Sequence, residues 1–108
     1  MMTSHKNLLA NLLMTKAIRY GDFTLSSGAK SNCFIDASKV TGLAEGAWLI
    51  AQVFWDATGD HGWEEATAFA GPMSGADPII GSMLFLASSE GYNDIKGVRV
   101  RTSSWRSA

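Results

Sequence analysis

AGPMSGADP, residues 70–78, sets two glycines, a serine and a proline between a short apolar run and an Asp-Pro pair. A loop of this kind, ending a strand and opening a helix, can turn backbone N–H groups and a helix N-terminus toward an anion such as phosphate or pyrophosphate. An ordinary strand-to-helix turn has the same composition, and spacing alone does not separate the two readings. No Walker-type lysine follows, which argues against nucleotide hydrolysis. Pro72 stands where a nucleophile elbow around Ser74 requires glycine. The second polar stretch, YGDFTLSSGAKSNCFID at 20–36, packs Thr24, Ser26, Ser27 and Ser31 with Gly21 and Gly28 between two apolar-leaning runs. Its hydroxyls suit either a binding surface or a turn that satisfies itself.

Other reactive side chains are scattered. Asp36 either orients a polar group or caps the segment leading to Val40, and Lys30 reads as a solvated loop charge. His5 and His61 have no partner visible in the sequence and read as surface residues. Cys33 lies in an apolar run, where a buried thiol is commoner than a nucleophile. Glu64 and Glu65 read as a solvated pair, and Trp48 and Trp55, at helical spacing, as core rather than a stacking platform.

The elements that must position these residues follow from periodicity. Leu8, Leu9, Leu12, Leu13, Ala17 and Ile18 predict a helix capped by Thr3 or Ser4 and ended by Gly21. DFTL and NCFID then form a hairpin about SSGAKS, where Gly28 supplies the positive backbone angle. From Thr41, a stripe of Leu43, Ala47, Ile50, Ala51 and Phe54 predicts a second, heavily buried helix, with turn signals at Gly59 and Gly62. ATAFAG reads as a buried strand stopping at Gly71-Pro72. Asp77-Pro78 caps a helix that runs to Gly91, and IKGVRVR reads as a last strand. Strand, helix and strand make a parallel crossover unit whose ligand lies beyond the strands' carboxyl ends, where the 70–78 loop falls.

Composition bounds the rest. The 108 residues are 46% hydrophobic and 18% charged with a formal net charge of −1, which suits a folded chain of one domain at most. Basic residues are dispersed, so no electrostatic footprint for nucleic acid appears. One cysteine without a Cys/His cluster suits a reducing compartment and no structural metal. No apolar run reaches membrane-spanning length and the N-terminal stretch lacks a signal-peptide layout, so a cytoplasmic location is expected.

Taken with EGAWLI at 45–50 and the run LASSEGYNDIKGVRVR at 86–101, the 20–36 and 70–78 blocks resemble the orotate phosphoribosyltransferase family over most of 16–101. The resemblance implies an α/β fold: an N-terminal helix and hairpin hood over 1–41, the start of a parallel core over 42–101, and a divergent tail over 102–108. It further implies that Ser26, Ser27, Gly28, Phe34 and Ile35 face the pyrimidine, Ser26 standing where many relatives carry lysine. Gly71, Pro72, Met73, Ser74 and Gly75 would receive pyrophosphate, and Arg101, or failing it Arg99, would reach the phosphates of phosphoribosyl pyrophosphate. The implied chemistry is Mg²⁺-assisted transfer of ribose phosphate to orotate in pyrimidine nucleotide (UMP) synthesis, in a family expected to form homodimers. No catalytic side chain is assigned, since the reaction asks for anion clamps and a fixed base.

The match departs from the family after Arg101. The family continues with a lysine, an acidic residue and a mobile Lys/His loop, then a strand ending in two acidic residues; here the sequence reads TSSWRSA. The expectation is a truncated domain with little turnover alone. A non-catalytic orotate- or phosphate-binding module, or a partner of a full-length relative, is the alternative.

Overall fold

The computed structural model describes residues 4–58 and 62–101. Thr3, Gly59, His61 and the 102–108 tail lie outside them. The order is α1 (His5–Lys16), β1 (Ile18–Thr24), β2 (Lys30–Ile35), α2 (Ser38–Thr41), α3 (Ala44–Thr58), β3 (Ala68–Pro72), α4 (Asp77–Ser89) and β4 (Lys96–Val100). The α/β class is as expected, with an antiparallel hairpin β1–β2 and a parallel pair β3–β4 forming two separate sheets.

Ser4 caps α1 by accepting from the Asn7 amide at 3.2 Å. The helix stops five residues before Gly21. Ala17, fully buried, donates its N–H to Leu13 O and accepts from the Asp36 N–H through its own carbonyl, both at 2.9 Å. Ile18, β-branched and better suited to a strand, is therefore the first residue of β1 rather than the last of a helical stripe. Gly21 lies inside the strand at φ +154°, within a register irregularity between Tyr20 and Phe23. Glycine there marks a bulge rather than a helix end. The turn forms as expected: Gly28 has φ +90°, its N–H meets Leu25 O, and the Leu25 N–H meets Ala29 O.

The second helix, expected from Thr41, is α3 and begins at Ala44; the short α2, which ends at Thr41, precedes it across Gly42. The buried side of α3 is Gly46, Leu49 and Ala51, whereas Leu43 and Phe54 of the expected stripe are exposed, as is Trp48 beside it. Gly46 is needed there, since a Cβ would stand 1.9 Å from Val40 O. Leu12, Ala17, Val40 and Leu49 join α1, α2 and α3 in one apolar cluster. Trp63 anchors a second with Ala51, Leu86 and Ala87, and its ring packs edge-on against Trp55 and Phe69, both at 4.9 Å. Trp55 is thus core, as expected, while Trp48 is not.

α4 ends in a Schellman motif, with the Tyr92 N–H on Ala87 O and Gly91, at φ +94°, donating to Ser88 O. β3 is half covered rather than buried. Phe69 and Gly71 face α4, while Ala68, Ala70 and Pro72 on the alternate face are exposed. In space the hairpin meets α1, α1 meets α3, α3 meets α4, and α4 carries the parallel pair. The Cα radius of gyration of 16.0 Å exceeds the about 13 Å of a compact domain of this size, which accords with faces left uncovered.

Candidate functional site

The parallel register ends the two strands level. Gly71 lies opposite Arg99 and Pro72 opposite Val100. The Met73 N–H then donates to Val100 O at 3.0 Å, closing the loop onto β4 and setting Arg101 beside it. Within the loop the Ala76 N–H meets Pro72 O and the Asp77 N–H meets Ser74 O; the Met73–Ser74 peptide is cis. Ser74 and Gly75 are exposed. Among the described residues, no protein acceptor meets their N–H groups. Gly71 is required by close approach, because a Cβ would sit 2.7 Å from that of Ala76 and 3.3 Å from Ile80 Cδ1. Gly71, Pro72, Met73, Ser74, Gly75 and Arg101 are thus brought together at the head of α4.

Asp77 does not cap that helix. Ala76 is the N-cap and makes no side-chain cap bond, and Asp77 lies in the first turn. Its carboxylate instead takes the Arg99 guanidinium, Nη2 to Oδ2 at 3.0 Å and Nε to Oδ1 at 3.2 Å. Arg99 is therefore occupied by the fold. The sequence held a signal for this pair: in a strand–helix–strand unit the end of the second strand returns beside the start of the helix.

The hairpin residues form a separate group. Ser26, Ser27 and Gly28 make the exposed turn, and the Ser27 hydroxyl accepts from the Ala29 N–H at 3.4 Å. Phe34 and Ile35 are 42% and 60% exposed on β2, across from Arg19 and Ile18, and the Phe34 ring lies 5.7 Å from that of Phe23. β2 pairs on one side only among the described residues, and on its other edge the Ser31 hydroxyl accepts from the Cys33 N–H at 3.2 Å and donates to the Cys33 carbonyl at 2.7 Å. Lys30 donates to Thr24 Oγ1 at 2.9 Å, and with Asp22, Phe23 and Ser31 these two line a shallow cleft of about 390 Å³. Hairpin and loop do not pack on each other; they stand at the two ends of the series hairpin, α1, α3, α4, parallel pair.

The other singled-out groups have structural roles. Asp36 accepts from the hydroxyl and the amide of Ser38, which holds its carboxyl below the ordinary carboxylate value. Asp36 thus holds the first residue of α2 from one position before the N-cap, which is Ala37. His5 has a partner after all: its Nδ1 lies 2.6 Å from Asp56 Oδ2, and its ring stands edge-on to Trp48 at 5.2 Å. Cys33 is half-buried, and Glu64 and Glu65 are exposed. A roomier cleft of about 740 Å³ between α3 and α4, lined by Trp48, Ala51, Gly81 and Phe85 among others, contains none of the expected site residues. Among the described residues, no group of three or more His, Cys, Asp or Glu is placed to hold a metal ion. With Asp77 already paired to Arg99, the residues present do not make a Mg²⁺ cage. Among the described residues no helix is long and apolar enough to cross a membrane.

The fold is that of the phosphoribosyltransferases. It superposes on the Mycobacterium tuberculosis orotate phosphoribosyltransferase solved in complex with inorganic phosphate with a TM-score of 0.72, over 92% of this chain and 55% of that one, at 24% identity. Sequence narrows the class. The chain is 38% identical over 96 residues to the orotate phosphoribosyltransferase of Rhodopirellula baltica, covering 86% of this chain and 49% of that protein. It is 42% identical over 88 residues to that of Thermosynechococcus vestitus, covering 82% and 44%. No family model matches the chain. It belongs to the orotate phosphoribosyltransferase family, as an N-terminal portion, and spans about half the length of these relatives.

Proposed function

We propose that this chain contributes the diphosphate loop and the pyrimidine-facing hairpin of an orotate phosphoribosyltransferase, which transfers ribose 5-phosphate from phosphoribosyl pyrophosphate to orotate in UMP synthesis. The observation that carries the reading is the level ending of β3 and β4, where the Met73 N–H bonds to Val100 O, the residue before Arg101, at the head of a loop whose Ser74 and Gly75 are exposed. As the bond from ribose C1 to pyrophosphate breaks and that to the orotate nitrogen forms, negative charge collects on the leaving diphosphate. The loop amides, the α4 dipole and the Arg101 cation all oppose that charge, and they need no covalent nucleophile. The M. tuberculosis enzyme of the same fold binds inorganic phosphate, in keeping with an anion site.

The strand-free edge of β2 beside Phe34 and Ile35 is proposed to face the pyrimidine, with the Ser26, Ser27 and Gly28 turn next to it in the hairpin. Hairpin and loop meet around one ligand only if more of the enzyme stands between them, so little turnover is expected of this chain alone. Mg²⁺ is proposed to arrive with the diphosphate, since the described residues offer it no cage. The same reading places the protein in the cytoplasm and its intact relatives in homodimers.

The test is assay of the purified chain with orotate, phosphoribosyl pyrophosphate and Mg²⁺, beside calorimetric titration with each substrate alone. Saturable binding of diphosphate without orotidine monophosphate is the expected outcome. Full turnover by the chain alone would refute the half-enzyme reading, and absence of any anion binding would refute the loop assignment. Saturable orotate binding in the absence of diphosphate affinity would favour a non-catalytic pyrimidine-binding module.

A further inference from the structure

The start of α1 meets the end of α3 at His5. Its Nδ1 lies 2.6 Å from Asp56 Oδ2, and its ring stands edge-on to Trp48 with the centroids 5.2 Å apart. Asp56 belongs to the last turn of α3, the negative end of that helix dipole, and this turn has no basic residue of its own. A carboxylate is ill placed there unless a cation from another element faces it. Protonated His5 is such a cation, and the Trp48 ring adds attraction for the charged imidazole. The positive end of α1, whose first turn has no acidic residue, works the other way, as does the neighbouring Lys6. The other charges on elements packed against α1 stand toward its far end. Glu45 of α3 shares a cleft with Thr15, Lys39 of α2 and Arg19 of β1 act on Asp36, and Asp22 of β1 lies with Lys30 in the hairpin cleft. Among the described residues, Asp56 is therefore the charged group that faces His5 from a packed element.

The contact has leverage. α1 is held to α3 by this polar clasp at its start and, further along, by the apolar cluster that contains Leu12 and Leu49. At 1.5 Å per residue the clasp lies about 10 Å before Leu12, and Ala17 about 8 Å after it. Ala17 passes any tilt of the helix on to the hairpin, because it adjoins β1 and its carbonyl accepts from the Asp36 N–H just past β2. We infer that His5 and Asp56 form a proton-operated latch on the arm made of α1 and the hairpin, closed when the imidazole is charged and loosened when it is neutral. Histidine changes charge between about pH 5 and 8, so the arm is held fast on the acidic side of neutrality and freed to tilt on the alkaline side. A neutral ring with its proton on Nδ1 still donates to Asp56 without the ionic attraction, and one with its proton on Nε2 does not donate to it from Nδ1 at all. The two side chains are 32% and 51% exposed, which makes the latch weak, salt-sensitive and easily reset. The latch itself is independent of what the hairpin binds; only its effect on pyrimidine binding rests on the family reading.

The experiment is an NMR titration of the 108-residue chain between about pH 5.5 and 8, following the His5 ring protons and the amides of Ala17 and Asp36. Both amides should shift with the His5 midpoint, and His5→Gln and Asp56→Asn should each flatten that response. Wild type should melt about 2–4 °C above His5→Gln at the acid end and by a smaller margin at the alkaline end. Circular dichroism confirms that the variants fold, and the wild-type titration needs no substitution. Amides that ignore the His5 titration, a response that survives in His5→Gln, or a melting gap that widens with pH would overturn the inference. Amides that track His5 while orotate affinity stays the same at both ends of the range would uphold the latch and count against the pyrimidine-facing hairpin instead.

Discussion

Arg99 grips Asp77 by two prongs, 3.0 and 3.2 Å long, and so fastens the end of β4 to the first turn of α4. The pair is largely open to solvent, the side chains being 57% and 34% exposed, so its worth to stability is at most about 1 kcal/mol. Its importance is positional. A carboxylate next to the loop would repel an incoming diphosphate, and the guanidinium neutralises it while staying out of the ligand's way.

Asp77→Asn should therefore tighten diphosphate binding. It removes the negative charge and frees a second cation, together an effect of about 1 kcal/mol, or roughly fivefold. Arg101→Ala should weaken binding about tenfold, the loss expected of a charge-assisted contact. Titration with inorganic pyrophosphate at low and high salt checks both. Tighter binding by Arg101→Ala, or weaker binding by Asp77→Asn, would contradict the assignment.

The same substitution should have opposite effects at two glycines. At Gly46 the new methyl meets the Val40 backbone, which cannot move without parting α2 from α3, and a loss of about 3 kcal/mol is expected. At Gly81, in the open face of α4, nothing lies within 4 Å, and alanine should stabilise by about 0.5–1 kcal/mol through helix propensity. Urea midpoints at unchanged m-value give both numbers.

Two tryptophans should differ as sharply. Trp63 is 3% exposed and its indole N–H donates to Thr58 Oγ1 at 2.7 Å, so Trp63→Ala should cost about 3–5 kcal/mol. Trp48, 53% exposed, should cost under about 1 kcal/mol on truncation. Thermal unfolding of the two variants decides the matter.

Asp36 gives a prediction in pH. Bonds from the Ser38 hydroxyl and amide depress its folded pKa, so the stabilisation it confers is present above the ordinary carboxylate value and is lost as pH falls through the depressed one. Titration of the carboxyl carbon by NMR should show a midpoint below the ordinary value. Ser38→Ala should raise it; an unmoved midpoint would show that the hydroxyl is not the cause.

Much of this was legible in the sequence, and the exceptions share a cause. Gly28, Gly91 and the loop at 70–78 were readable because each encodes a local backbone demand, a positive φ or a close approach. Ala17 and Ile18 misled because they extend the apolar spacing of α1 without a break, and only the hydrogen bond from Asp36 to Ala17 shows where the helix ends. Trp48 misled for a similar reason: periodicity marks a stripe but does not say how much of it a neighbour covers, and it is 53% exposed. The ties of Asp77 to Arg99 and of His5 to Asp56 join residues 22 and 51 positions apart, distances at which only topology informs.

Ala17 sits at the root of the hairpin with no room around it, bonded backward to α1 and sideways to Asp36, just past the end of β2. The ribbon consequently has no pivot of its own. To swing toward a substrate it must carry α1 along, rolling that helix over Leu49 of α3, so a repacked α1–α3 seam would retune how the arm reaches without altering any residue on the arm itself.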